Sequence, residues 1–589
     1  MSAAGPPQGA NWPCRPRRCE TQRPLVPSMP AQAGMEPRHS APAFGGSAAA
    51  QLANELANEA ASVGVQTTLC RHLPAAFPLL VAVVLAGCGM LPQRPEAPDS
   101  SALKPSLDSP LVQIAQASIP SPELSGFRLM PVGVYALDTR IQLARRAKHS
   151  LDLQYYLVQN DDTGRLLLRQ LRDAALRGVR VRLLLDDLYT SGGDPLFIGL
   201  SAFSNVEVRL FNPFCCGRES LLGKYTASLA DFGRLNHRMH NKLFIADGTM
   251  AVAGGRNIAD EYFMRSMTDN FVDMDAFIVG AVVPQLAALF DTYWNSPQVY
   301  PVQSIIHTDL GREDLQRDFN RRVDEGEQMM SLTLPPVDIL GYGPISEDLD
   351  AGRVGLIWGK ATAFADSPAK VTATSDEMAR SMSVSMNIMD MVMASHTEVV
   401  ISSPYFIPGP RGVAAFSDLR KHNVKVTILT NSLASNDEPL VHTGYARYRA
   451  ELLKTGVDLY ELSPTRILRN KRLMFPGMSV GRLHAKTAVF DGTKVFIGSM
   501  NLDPRSASKN TELGIIAEAP QLAREVLRVI HISKLQSAYR LRFGPDGQSL
   551  EWLTMDDEGD VVLSEEPDVT PLMRFQNMLL APFVPEQQL

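Results

Sequence analysis

Two short stretches of this chain carry the same polar residues at the same spacing. His240, Lys242 and Asp247 read His-x-Lys-x4-Asp, and six residues later come Gly254-Gly255-Arg256-Asn257. His484, Lys486 and Asp491 repeat the pattern, followed after six residues by Gly498-Ser499-Met500-Asn501. One such match is a weak signal. Two copies at equivalent points of a long repeat outweigh the bland alternative of two apolar strands with incidental polar neighbours. Histidine and lysine two steps apart on a strand share a face, while Asn241 and Ala485 turn to the other. Gly254 and Gly498 permit close backbone approach, and Asn257 and Asn501 add amide donors. Cations and amides converging on one pocket make a site for a phosphodiester. Asp247 and Asp491 fall an odd number of steps from their histidines, so a regular strand turns them away, and holding the following turn is their expected task.

The elements around these motifs repeat as well. Alternation predicts strands at 150–156, 179–185 and 206–211, with helices at 135–148 and 163–177. The second half gives strands at 399–405, 424–429 and 457–462, with helices at 412–421 and 445–453. Asp186-Asp187 and Thr430-Asn431 follow equivalent strands. Strands alternating with helices predict an α/β protein made of two repeated domains, each a mixed sheet flanked by helices, related by a pseudo-twofold axis and sharing one site. The expected organisation is a disordered or upstream extension over 1–69, a signal segment over 70–88, a linker over 89–120, a first domain over 121–300, a connecting segment over 301–375, a second domain over 376–560 and a tail helix over 561–589. The apolar spacing of Leu572, Phe575 and Leu579 predicts that this tail closes the core, with membrane contact as the other reading.

With 589 residues, the chain exceeds one ordinary core. A net charge of −6 removes any global attraction to nucleic acid. The six cysteines show neither a disulfide framework nor zinc spacing, and the adjacent Cys215 and Cys216 read as small packing residues. His237, His396, His422 and His442 have no repeat partner and read as structural or exposed. The apolar run 77–86 follows Arg71 and His72, is too short to span a bilayer, and has the order of a secretory signal. Leu85-Ala86-Gly87-Cys88 is similar to the bacterial lipobox, which implies acylation of Cys88 and membrane association in a bacterial cell envelope.

The paired motifs resemble those of the phospholipase D superfamily. Leu151-Asp-Leu-Gln-Tyr-Tyr156, Arg234 to Lys242 and Gly254 to Phe263 are similar to bacterial cardiolipin synthases of the C type. The first copy departs from the superfamily pattern with Gly255 where a serine is usual. The resemblance implies a metal-independent, cofactor-free displacement through a phosphohistidine, with His240, Lys242, Asp247, His484, Lys486 and Asp491 as the catalytic motif. It assigns His240 as nucleophile and His484 as general acid and base, although the residues alone fit either order. Lys242, Lys486, Asn257, Asn501 and Ser499 would hold the phosphate. A carboxylate should orient each imidazole, and Asp273 and Glu512 occupy equivalent points for it. The implied substrates are phosphatidylglycerol and, as a second donor, phosphatidylethanolamine, at a membrane surface, by a monomer with no nucleic-acid partner. Phospholipid hydrolysis is the alternative activity. A nuclease fits less well, since such chains in this superfamily are commonly short, single-motif and dimeric.

Overall fold

The structure, a computed structural model, describes residues 91–580 apart from 97, 229–230, 326–333, 470–479 and 557–558, together with 585–586. The extension over 1–69 and the signal segment with Cys88 lie outside the described residues.

The first half supplies strands β1 (Ser125–Met130), β2 (Ser150–Tyr155), β3 (Arg180–Asp186), β4 (Val206–Phe211), β5 (Leu243–Ala246), β6 (Met250–Gly254), β7 (Asp269–Val272), β8 (Asp275–Gly280) and β9 (Val299–Pro301). β2, β3 and β4 pair in parallel, and β5, β6, β8 and β1 extend the sheet from β2 in antiparallel fashion. β3 buries Val181, Leu183, Leu184 and Leu185, and its one charged residue in that run, Arg182, is buried in an ion pair with Asp152 at 2.6 Å. The helix Asp162–Leu176 between β2 and β3 starts where the Asp161 carboxylate accepts from Gly164 N–H, and Gly178 at φ +96° turns the chain out of it.

The second half repeats this plan with β10 (Ile357–Ala365), β11 (Glu398–Ser402), β12 (Lys425–Asn431), β13 (Asp458–Leu462), β14 (Val480–Leu483), β15 (Thr487–Phe490), β16 (Lys494–Gly498) and β17 (Leu513–Glu518). β11, β12 and β13 are parallel, and β15, β16, β17 and β10 are antiparallel. β1 pairs antiparallel with β10, Phe127 opposite Ile357, so the two sheets become one. β7 and β14 form a separate parallel pair that ties the halves together a second time, with Val272 opposite Leu483. The α/β class and the two-part repeat are as expected.

Four boundaries differ from expectation. Residues 89–120 are more than a linker, because the helix Pro110–Ser118 buries Leu111, Val112, Ile114 and Ala115. Ser109 caps that helix with proline at its first position. Residues 301–375 do more than connect: the helix Arg312–Asp324 packs on the first half, and β10 completes the second sheet. The single helix expected over 445–453 is two, Pro439–Ala446 and Arg449–Thr455. Finally, the tail helix Pro571–Leu580 leaves Leu572 and Phe575 more than half exposed, so it does not close the core.

Candidate active site

The two motifs meet because each is hydrogen-bonded to the opposite half. His240 N–H donates to the Thr511 carbonyl at 2.8 Å, and Thr511 N–H donates to the Arg238 carbonyl at 2.8 Å. His484 N–H donates to the Val272 carbonyl at 2.8 Å. Each histidine therefore lies beside the carboxylate that follows its partner segment. His240 Nδ1 is 3.0 Å from Glu512 Oε2, and His484 Nδ1 is 2.6 Å from Asp273 Oδ2. The pairing is crosswise: the second half orients the first half's imidazole, and the first half orients the second's. The sequence placed each His-x-Lys on a strand. The structure instead puts them in extended segments just before β5 and β15, where the backbone pairs across the halves. They still face one way, for Tyr156 packs its ring 5.0 Å from the His240 ring and 5.3 Å from Lys242 Nζ.

Strand ends fix the residue before each histidine. Asp186 at the end of β3 accepts from Met239 N–H at 2.8 Å and pairs with Arg238 at 3.2 Å. Asn431 at the end of β12 brackets Leu483, accepting from its N–H and donating to its carbonyl, both at 2.9 Å.

Both motif histidines, both motif lysines and both carboxylates are buried. Burial lowers His240 to about 4 against the opposing pull of Glu512, with Lys242 adding to the fall. Burial and the Lys486 charge lower His484 to about 3. Lys486 falls to about 8 and Lys242 well below its usual range, again through burial first. Burial alone would raise the carboxyls, but contact with His484 and the Lys486 charge hold Asp273 down, and contact with His240 and the Lys242 charge hold Glu512 down. Both imidazoles are thus neutral near pH 7, with Nδ1–H on the carboxylate and Nε2 carrying the free lone pair. Among the described residues, Lys242 and Lys486 bond only the carbonyls of His240 and His484, at 2.6 and 2.5 Å, leaving ammonium protons for an anion.

The asparagines retain unused capacity. Asn257 donates to the Tyr262 hydroxyl at 2.9 Å, while its Oδ1 and that of Asn501 are buried without a partner among the described residues. Ser499 requires a correction. Its hydroxyl donates to Glu512 Oε2 at 2.5 Å and accepts from Leu513 N–H at 3.0 Å, so it fixes the carboxylate and is not placed to hold phosphate. Ser506 donates to Oε1 of the same carboxylate at 2.9 Å. The glycine at 255 now has a reason, since a Cβ there would collide with both Asp273 carboxylate oxygens. The shorter aspartate fills the volume that a serine side chain occupies in the second half.

Asp247 and Asp491 are also corrected as catalytic residues. They stand at positive φ, 48° and 50°, at the far ends of β5 and β15, roughly 20 Å of strand from their histidines. Asp247 accepts from the N–H groups of Lys148, His149 and Ser150 and from the Ser109 hydroxyl. Asp491 accepts from the N–H groups of His396, Thr397 and Glu398. Each holds the start of the neighbouring strand, as the parity argument anticipated.

Residues without an assigned role also line the site. Tyr262 and Phe271 pack within 5.1 and 5.0 Å of the His484 ring, matching Tyr156 against His240. The signal for Tyr156 and Tyr262 was their place in the stretches 151–156 and 254–263, and that for Phe271 was its position two residues before Asp273. His442 lies apart, beside Arg449 in a buried cluster with Glu461 and Glu566. His237 bonds the Gly233 carbonyl and His422 is exposed.

The family profile described as "Cardiolipin synthase, PLD-like domain" matches residues 141–294 and 388–531, one stretch in each half. Cardiolipin synthase C of Escherichia coli is 39% identical over 447 residues, covering 73% of this chain and 89% of the relative. A cardiolipin synthase of Staphylococcus aureus is 26% identical, covering 67% of this chain and 64% of its own length. Among solved structures, phosphatidylserine synthase of Haemophilus influenzae shares the fold at a TM-score of 0.50 and 13% identity, covering 79% of this chain and 95% of that one. Two motif-bearing halves, a crosswise histidine site and this extent of similarity lead to one assignment: the chain belongs to the phospholipase D superfamily, in its cardiolipin synthase family.

Proposed function

We propose that this protein is a phospholipid phosphatidyltransferase that forms cardiolipin by passing a phosphatidyl group to phosphatidylglycerol. The crosswise pair of carboxylate-bound imidazoles, flanked by two lysines, is the observation that carries the reading. His240 Nε2 attacks phosphorus while Glu512 takes up the positive charge that develops on the ring. The headgroup alcohol departs with a proton from His484, which Asp273 keeps oriented. His484 then deprotonates the incoming hydroxyl, which displaces His240 from the phosphohistidine. Lys242, Lys486, Asn257 and Asn501 hold the non-bridging oxygens through both steps. His484 is neutral in the empty site, and the arriving phosphodiester anion raises its affinity for the proton that it must donate. Substrate therefore enters together with a proton.

Phosphatidylglycerol serves as acceptor, and either it or phosphatidylethanolamine as donor. The work takes place at a membrane of the bacterial envelope, to which an acylated Cys88 tethers a monomer. Among the described residues no helix is long and apolar enough to cross a membrane, so attachment through the amino-terminal segment is a separate part of the proposal. The test is lipid analysis after expression in a bacterium lacking its own cardiolipin synthases. Cardiolipin should appear with the native chain and vanish with His240→Ala and with His484→Ala. Phosphatidic acid in its place identifies a hydrolase, and plasmid cleavage without lipid change overturns the reading. For the anchor, Cys88→Ala should release the protein from membranes, and undiminished attachment removes it from the proposal.

A further inference from the structure

Cys215 and Cys216 are neighbours in the loop between β4 and the helix Leu221–Ala227. Both are partly exposed thiols, and the Cys216 thiol donates to Cys215 Sγ, so the two sulfurs face each other in contact. The loop around them is clamped to one wall of the site. Phe214 N–H donates to Asp187 Oδ2 at 2.7 Å, and Arg218 returns to the same carboxylate at 2.6 Å while also donating to the Phe214 carbonyl. The Phe214 ring lies 5.3 Å from the Arg238 guanidinium, which pairs with Asp186, the residue holding Met239 beside His240. Phe214 also shares an apolar cluster with Tyr156 and Tyr189, and Tyr156 packs against His240.

We propose that Cys215 and Cys216 form a vicinal dithiol that oxidises to a disulfide and, in doing so, throttles the catalytic site. The oxidant is an exogenous disulfide, of a small thiol or of a redox protein. One cysteine thiolate attacks it, expelling one thiol and leaving a mixed disulfide. The second cysteine then attacks that bond, expelling the other thiol. One S–S bond forms within the loop, the exogenous S–S bond is reduced to two thiols, and the two cysteine protons end on the products or in solvent. Adjacent Cα atoms are about 3.8 Å apart, whereas disulfides ordinarily span about 4.4–6.8 Å. Closure therefore has to turn the peptide between them, which displaces the Phe214 carbonyl and Arg218 on either side. The same strain keeps the bond easy to reduce, as a reversible switch requires.

This inference rests on the proposed lipid chemistry only for its activity readout. The full-length protein would be equilibrated in glutathione buffers from reducing to oxidising, alkylated, and peptide-mapped across 215–216, with phospholipid turnover measured in parallel. Expected is the joint loss of both alkylation sites within one peptide, without added glutathione, and a fall in turnover of about tenfold that dithiothreitol reverses. The Cys215→Ala/Cys216→Ala variant should keep the reduced activity and lose the redox response. Full alkylation under oxidising conditions, glutathione adducts alone, or an inhibition that persists in the double variant overturns the proposal. Inactivity of the reduced protein on every phospholipid overturns the functional reading instead, and the alkylation result then decides the dithiol.

Discussion

Replacing Asp273 by asparagine tests the crosswise arrangement most directly. Asp273 belongs to the first half, yet it bonds His484 of the second at 2.6 Å, with both side chains buried. When His484 carries its proton, the two charges sit about 4 Å apart at an effective dielectric near 20, an attraction of about 4 kcal/mol. At 1.36 kcal/mol per tenfold, its loss costs about 10³ in rate, and the hydrogen bond that asparagine retains brings this toward 10². The assay is steady-state turnover of a fluorescent phospholipid, with thermal unfolding measured alongside. Asp273→Asn should lower kcat by about 10²–10³ with little change in KM, because the carboxylate does not touch substrate. Gly255→Ala should act in the same direction, since the added methyl collides with the Asp273 carboxylate. A fall of less than threefold in Asp273→Asn, in protein that unfolds at the native temperature, refutes the orienting role.

Ser499→Ala removes one donor from Glu512. It should cost about 1.5–3 kcal/mol of stability and about tenfold in kcat at constant KM, and a raised KM with unchanged kcat would restore phosphate contact as its task. Asp247→Ala strands three backbone N–H groups and should lower stability by about 3 kcal/mol, while activity per folded molecule stays within twofold. Denaturant titration with an active-site count separates the two effects. Stability should fall as pH drops from about 6.5 to 4. Between the free histidine value and the lowered folded values of about 4 and 3, the unfolded chain binds the protons and the folded chain does not. Glu512 and Asp273, also lowered, act in the same direction near the bottom of that window. An unfolding temperature that is flat from pH 7 to 4.5 would contradict the neutral buried imidazoles.

The spacing of the two motifs and the strand and helix periods were readable because both are local. Parity alone separated Asp247 and Asp491 from the pocket, and their positive φ and backbone partners bear that out. The crosswise partnership of Glu512 with His240 was not readable, because it depends on how two halves 244 residues apart in register dock. Ser499 was misplaced for a related reason. Its hydroxyl fits a phosphate or a carboxylate equally well, and only the location of Glu512 decides. The helix Pro110–Ser118 did carry a signal in Ser109-Pro110 followed by apolar spacing, but the surrounding prolines masked it. In the tail helix, periodicity revealed an apolar face but not whether anything covers it.

The two halves have diverged where their imidazoles are held. In the second half a long carboxylate, Glu512, reaches His240 and is fixed by two hydroxyls, Ser499 and Ser506. In the first half a short one, Asp273, sits against bare Gly255 and is steadied by Met274 N–H at 2.7 Å. The contact to His484 is the shorter of the two, 2.6 Å against 3.0 Å. A close carboxylate with one oxygen given over to the ring suits an imidazole that must gain and lose a proton in each step. A carboxylate spread over two hydroxyls and both oxygens is a softer partner for a ring that forms and breaks a bond to phosphorus. The asymmetry fits His484 as the proton carrier and His240 as the nucleophile, and predicts which half tolerates exchange. Glu512→Asp, which shortens the reach to His240, should slow formation of the proposed covalent intermediate in rapid-quench experiments. Asp273→Glu, which lengthens a side chain already packed against Gly255, should slow both its formation and its breakdown. Equal effects of the two substitutions on both steps would reverse or erase the assignment.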